Sequence, residues 1–189
     1  MEFSTSRRSL LLSTAALSLT ALTPGLLRAA EESRAIVIYY SRTGTVEGLA
    51  QEIARHAKAD ILRLDVKVPY AEAYEDMTYG AQEEVRTNAR RELSTVIPDL
   101  SGYDTVFLGS PYWWGSISVP VNTFLMDHPL AGKKVFPFIV SASSSPSGAV
   151  SRIRERCAQA TVGRHFHVTQ SRAGSATAAL DRWVDEALK

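Results

Sequence analysis

The sequence lacks most of the features that assign a chemistry outright. A single cysteine, Cys157, leaves no partner for an intramolecular disulfide. It falls at helical spacing with Val150 and Ile153 and has no histidine near it in sequence, so it reads as a small buried hydrophobe rather than a nucleophile. No G-x-S-x-G elbow follows a strand, which argues against a serine hydrolase. G-x-G-x-x-G is missing too. Asp65 closes the second strand where a ribose-binding acid would stand, but without those glycines it reads as a strand-end surface residue. His165 and His167 share one face of a short strand with no third ligand, which fits a polar sheet face better than a metal site. Basic and acidic residues nearly balance, 21 against 20, without a long run of either sign and without an internal repeat. Nucleic acid is therefore not an expected partner.

What is present begins with an address. Ser6-Arg7-Arg8-Ser9 leads into a mildly apolar stretch from Leu10 to Leu22, too short to span a bilayer comfortably, and then to Pro24-Gly25 and Ala29-Ala30. This order resembles a bacterial twin-arginine export signal, with leucine in place of the pattern's aromatic and no closing lysine. It implies a periplasmic or otherwise exported protein. Cleavage after Ala30 or Ala29 would put Arg28 or Leu27 three residues back, so the expectation covers a cleaved signal and a retained membrane tether alike. The domain expectation is a signal over residues 1–30 and one globular domain over 31–189. Residues 1–30 carry Arg7, Arg8, Arg28 and Glu2, so the remainder holds 18 basic and 19 acidic residues, a net of −1.

From residue 34 onward, apolar strand-like runs alternate with helical patterns. The runs are 34–40, 61–66, 105–109, 134–140 and 165–169; helical spacing marks 45–58, 119–126, 149–160 and 175–188. Strands without polar alternation, each followed by a helix, require a parallel sheet buried on both faces. The expected fold is a doubly wound α/β domain, five parallel strands in the order 2-1-3-4-5 with helices on both faces. Pro137, inside the fourth run, predicts a bulge or a strand end. The long segment from Lys67 to Leu100 predicts a helix near 79–91, split by Gly80 from residues 71–74.

In that strand order the sheet reverses between strands 1 and 3, and a ligand crevice opens outside their carboxyl ends. The first loop there is Ser41-Arg42-Thr43-Gly44-Thr45-Val46. A strand end running into a helix start presents unpaired N–H groups and about half a positive charge, to which Ser41, Thr43 and Thr45 add hydroxyls. The pattern fits a phosphate monoester and also an ordinary capped helix. Ser110-Pro111-Tyr112-Trp113-Trp114-Gly115 forms the second loop. Adjacent tryptophans after a buried strand cannot both enter one core, which places at least one flat π surface at the crevice unless both pack on neighbouring helices. The third, Ser141-Ala142-Ser143-Ser144-Ser145-Pro146-Ser147-Gly148, offers amides and hydroxyls to a ring edge, and its composition fits a solvated loop equally. A planar heteroaromatic ring bound to a phosphate would span the first two, and the third lines the same crevice.

Ser41-x-Thr43-Gly44, Pro111-x-Trp113-Trp114-Gly115 and Gly132-Lys133-Lys134-Val135-x-Pro137-Phe138 before a serine-rich loop resemble the flavodoxin family over about residues 34–189, above all its bacterial branch with the tryptophan pair. The resemblance implies non-covalent FMN, with Ser41, Arg42, Thr43, Gly44, Thr45 and Val46 at the phosphate. It sets Ser110, Pro111, Tyr112, Trp113, Trp114 and Gly115 against the ring, and Ser141, Ala142, Ser143, Ser144, Ser145 and Gly148 at the ring edge. Val46 stands where the family's phosphate loop usually ends in threonine, a loss of about 1 kcal/mol of hydrogen bonding. The third loop has no aromatic, leaving one flavin face open or covered from elsewhere, with Tyr70 and Tyr79 as candidates. The implied role is an exported electron carrier serving a redox partner protein. The alternatives are an NAD(P)H-dependent flavin or quinone reductase, and a binding module that keeps the fold without the flavin.

Overall fold

The computed structural model describes Met1 and residues 34–189, so the export-signal reading lies, but for Met1, outside the described residues. Ala35-Ile36-Val37-Ile38-Tyr39 forms strand β1, buried at every position, as a run without polar alternation must be in a sheet covered on both sides. Helix α1 (Thr45–Ala57), strand β2 (Asp60–Arg63), helix α2 (Tyr74–Arg86), strand β3 (Thr105–Trp113) and a short β4 (Ser116–Ile117) follow. Then come α3 (Val119–Asp127), β5 (Lys134–Ser141), α4 (Ser147–Arg156), β6 (Thr161–Val162), β7 (Phe166–Thr169), a 3-10 turn (Gln170–Ser175) and α5 (Thr177–Ala187).

The sheet runs β2-β1-β3-β5, with β6 and β7 both against the outer side of β5 and every one of these pairs parallel. This is the expected 2-1-3-4-5 arrangement with its fifth strand in two pieces. Leu49 and Ile53 of α1 and Leu180, Trp183 and Val184 of α5 bury one face of the sheet on Val37, Phe107 and Phe138. Val121, Phe124 and Leu125 of α3 and Ile153 of α4 bury the other on Ile36, Ile38, Leu108 and Ile139. Each fully buried aliphatic or phenylalanine side chain there contributes roughly 1.5–3 kcal/mol. Cys157 is buried in the second cluster.

Pro137 does not interrupt its own strand. β5 pairs with β3 straight through it, Leu108 opposite Pro137. Val135, of the same parity, turns its carbonyl outward to accept from the N–H of Gly163, so the donor that Pro137 lacks would also face outward. There β6 has ended and β7 has not begun: Val135 pairs with Val162 and Phe138 with Phe166, leaving residues 163–165 opposite 136 and 137. The bulge expected at the proline lies in the neighbouring strand. Gly163 permits it, because a Cβ there would meet the Phe136 ring at 2.4 Å.

The helix in the long connection also differs from expectation. α2 runs without a break from Tyr74 to Arg86 across Gly80. An isolated glycine in an exposed helical position costs only about 1 kcal/mol relative to alanine, and the burial of Met77 and Ala81 on its inner face offsets that. Strand β3 extends past the expected residue 109 to Trp113, which makes the second loop the end of a hairpin with β4.

Candidate functional site

The carboxyl ends of β1, β3 and β5 open on a cavity of about 420 Å³, within the ~300–1,000 Å³ usual for small-molecule sites. Its first wall is the turn from β1 into α1. Ser41 is buried, and its Oγ accepts from the Gly44 N–H at 3.1 Å, which folds the turn tightly. Gly44 caps α1 at φ 85°, a left-handed conformation that favours glycine. No side chain caps the helix, so the amides of its first turn have no intrahelical acceptor. Thr43 and Thr45 put their hydroxyls 3.5 Å apart beside those amides. The Val46 side chain is buried, leaving its amide as the group it can offer a ligand. Arg42 lines the cavity too, and its Nη2 donates to the carbonyls of Ala71 and Glu72 at 3.1 and 2.8 Å, clamping the segment that leads into α2. Arg63 braces the turn from behind, reaching the Ser41 carbonyl, Glu47 and Asp65.

The β3–β4 hairpin is the second wall. Trp113 pairs with Ser116 across a two-residue turn whose central residues, Trp114 and Gly115, have φ 48° and 81°, positive at both as a type I′ hairpin requires. Ser110, fully buried, accepts from the Ser118 N–H at 2.9 Å; it ties the hairpin together and does not line the cavity. Trp113 is half-buried, edge-on to Tyr40 and Tyr70 at ring centroid distances of 5.7 and 5.0 Å. Trp114 is 47% exposed, held by its Nε1–H donating to the Thr78 carbonyl at 3.0 Å. Both indoles line the cavity, as do Pro111 and Tyr112 of β3. The Gly115 carbonyl instead packs on Gly148 of α4.

From the third loop the cavity takes Ser141 and Ala142; Ser143, Ser144, Ser145 and Gly148 lie off it, as Gly44 and Gly115 do elsewhere. Ser141 is buried and donates to the Ser144 carbonyl at 2.8 Å, closing the loop into a turn. The backbone N–H groups of Ala142, Ser143 and Ser144 take part in no hydrogen bond among the described residues.

A fourth wall escaped the sequence reading. Tyr74, Met77, Thr78 and Ala81 of α2 line the cavity, as does Gln170 of the 3-10 turn. Their i, i+3, i+4 and i+7 spacing was the available signal, hidden by reading Gly80 as a break. Neither Tyr70 nor Tyr79 lines it. Tyr70 lies beneath Trp113, its hydroxyl donating to Glu84 at 2.9 Å and its ring under the Arg91 guanidinium at 3.7 Å. Burial, reinforced by Glu84, holds its phenol strongly above the ordinary range. The cavity thus combines a cluster of unpaired amides and hydroxyls at a helix start and two indoles with the free amide of Ala142, next to those of Ser143 and Ser144 just off it.

A family model described as Flavodoxin matches residues 34–187. The structure is similar to that of a flavoprotein from Bacteroides uniformis, at 25% identity and a TM-score of 0.73 over 82% of this chain and 99% of the other. It is also similar to a flavoprotein from Lactobacillus acidophilus solved in complex with FMN, at 21% identity and a TM-score of 0.66 over 76% of this chain and 97% of the other. An NAD(P)H dehydrogenase (quinone) of Cupriavidus metallidurans is 34% identical over 98 residues, 49% of this chain and 45% of that protein. The chain therefore spans less than half the length of that curated relative.

Proposed function

The chain belongs to the flavodoxin family, and on that premise we propose that it binds FMN non-covalently in this cavity and serves as an exported electron carrier. The observation that carries the reading is the pairing, inside one cavity, of an anion seat with a flat aromatic wall. The amides of Thr45, Val46 and Glu47 stand at the positive end of α1 with the Thr43 and Thr45 hydroxyls beside them, which suits a phosphate monoester without a metal or a lysine. Trp113 and Trp114 offer π surface for an isoalloxazine ring, and the free amide of Ala142 in the lining, with those of Ser143 and Ser144 next to it, suits the ring's carbonyl edge. Tyr74 of α2 adds a further aromatic ring to the cavity lining. Bound FMN supplies one- and two-electron redox chemistry; the protein supplies binding, orientation and electrostatics. An electron-rich indole beside the ring disfavours its reduced anion, and each 1.4 kcal/mol of such preference moves a one-electron potential by about 59 mV.

Export rests on the Ser6-Arg7-Arg8 pattern and the apolar stretch behind it, which resemble a signal for carrying folded, cofactor-loaded proteins. Fractionation of cells expressing the chain with Arg7 and Arg8 intact or replaced by lysine tests it; equal cytoplasmic retention of both refutes it.

The absorption spectrum of the purified protein tests the flavin. A yellow protein, or an apo protein that quenches FMN fluorescence stoichiometrically, is expected. A colourless chain that ignores excess FMN would leave a flavin-free binding module on this fold. A second reading, an NAD(P)H-dependent quinone reductase, is favoured by the 34% identity over 98 residues to the C. metallidurans protein. Steady-state NAD(P)H oxidation dependent on a quinone separates it from the carrier.

A further inference from the structure

We propose that His167 is a positioning residue for the flavin: its Nε2–H group fixes Ser141, and through it the turn of residues 141–144 that receives the ring edge. The inference rests on the FMN reading above. His167 stands on β7 opposite Ile139 of β5, and Ser141, two residues further along, points to the same face of the sheet. The His167 Nε2 lies 2.9 Å from the Ser141 Oγ. The hydroxyl has one proton, and it goes to the Ser144 carbonyl at 2.8 Å. Ser141 Oγ must then accept from the imidazole, so the ring carries its hydrogen on Nε2. A chain of two hydrogen bonds, imidazole to hydroxyl to carbonyl, holds the turn closed from a strand that itself does not line the cavity.

Packing does not account for the histidine. Phe166 and Val168 of the same strand bury on the opposite face with Trp183, whereas His167 is only half-buried. The ionisable groups around it are His165 just before its strand, Arg154 of α4 and Arg164 near that ring, and Arg172 of the 3-10 turn in the same groove. None is an acid that would hold a second proton on the imidazole, and burial lowers the ring's proton affinity. The neutral Nε2–H form is the one this arrangement uses. In the loop, the amides of Ala142 to Ser144 stay free for a ligand because the turn is held by the Ser141 hydroxyl rather than by its own backbone.

FMN titration of the apo protein, read by fluorescence quenching, tests this with H167L, H167Q, S141A and the H167L/S141A pair. Loss of one neutral hydrogen bond predicts affinity about threefold to tenfold weaker in H167L. H167Q, whose amide can donate to the same oxygen, should return to within about twofold of wild type. S141A should weaken binding similarly, and the double variant should be no weaker than S141A alone, since both act through one contact. Independently of any flavin, nitrogen-15 NMR of the apo protein at pH 8 should show His167 as the Nε2–H tautomer, with faster exchange of that proton in S141A. Wild-type affinity in H167L, no rescue by glutamine, additive losses or an Nδ1–H tautomer would each overturn the proposal. Wild-type protein that takes no FMN overturns the parent reading, and this inference with it; FMN binding indifferent to His167 overturns this inference alone.

Discussion

Replacing Gly148 by alanine puts a methyl group where the Gly115 carbonyl already stands. The new Cβ would lie 1.9 Å from that oxygen and 3.0 Å from its carbon, whereas ordinary contact begins near 3.4 Å. Neither side can rotate away: the oxygen belongs to the β3–β4 turn and Gly148 to the first turn of α4. The hairpin and the helix must therefore separate, an overpacking strain of about 1–3 kcal/mol. At roughly 2–4 °C per kcal/mol for a domain of this size, the G148A melting temperature should fall by about 2–12 °C in calorimetry of the apo protein. Because the displaced hairpin carries Trp113 and Trp114, FMN affinity should fall as well. Gly48 supplies the contrast. It lies in α1 at an exposed position, with nothing within 4 Å of an added Cβ, so G48A should gain up to about 1 kcal/mol and melt higher. A G148A protein that melts at or above wild type would refute the close approach of the two loops.

Changing both Trp113 and Trp114 to alanine should weaken FMN binding at least about tenfold, since a stacked ring contributes about 1–3 kcal/mol; an unchanged dissociation constant in fluorescence titration would count against the cavity wall. Burial pushes the Cys157 thiol up to about 11, so at pH 8 it should resist a thiol reagent in the native protein and react only after unfolding. Rapid native labelling would contradict its place in the core. Burial also lowers the proton affinity of His165 and His167 below the ordinary 6.5. Unfolding then takes up protons below that pH, so the stability these rings contribute is complete above about 6.5 and lost as the pH falls through their folded-state values. Melting temperature should drop between pH 7 and 5, less steeply in H167Q; equal slopes would refute the assignment.

The sheet was readable because its signal is local. Residues 35–39 and 105–109 are apolar without alternation, and only a strand covered on both faces tolerates that, so their order and the position of the crevice followed. The turn after β1 was legible for the same reason, since Ser41, Thr43, Gly44 and Thr45 sit within five residues. What depended on distant partners was not. Ser110 looks like any loop hydroxyl until Ser118 is seen to donate to it. Arg42 lines the cavity as its place in the turn suggests, yet its guanidinium is engaged by two carbonyls about thirty residues away. α2 was misread because Gly80 is a strong punctuation mark locally, while the burial of Met77 and Ala81 that outweighs it is a tertiary fact. Trp114 and Gly115 spell a hairpin only through their dihedral angles; a tryptophan at positive φ is not a turn signal that composition reveals.

The gap that Gly163 opens between β6 and β7 bears on how copies of this protein behave in a crowd. An outermost strand displays a row of unmatched amides and carbonyls to which a foreign strand can attach, the first step toward fibrils. A newcomer aligned along Thr161-Val162 would arrive at Phe166 one residue out of step, with inside and outside exchanged for the rest of its length. A seam that cannot be copied faithfully makes a poor template, and the chain gains that protection from one glycine and a proline facing it.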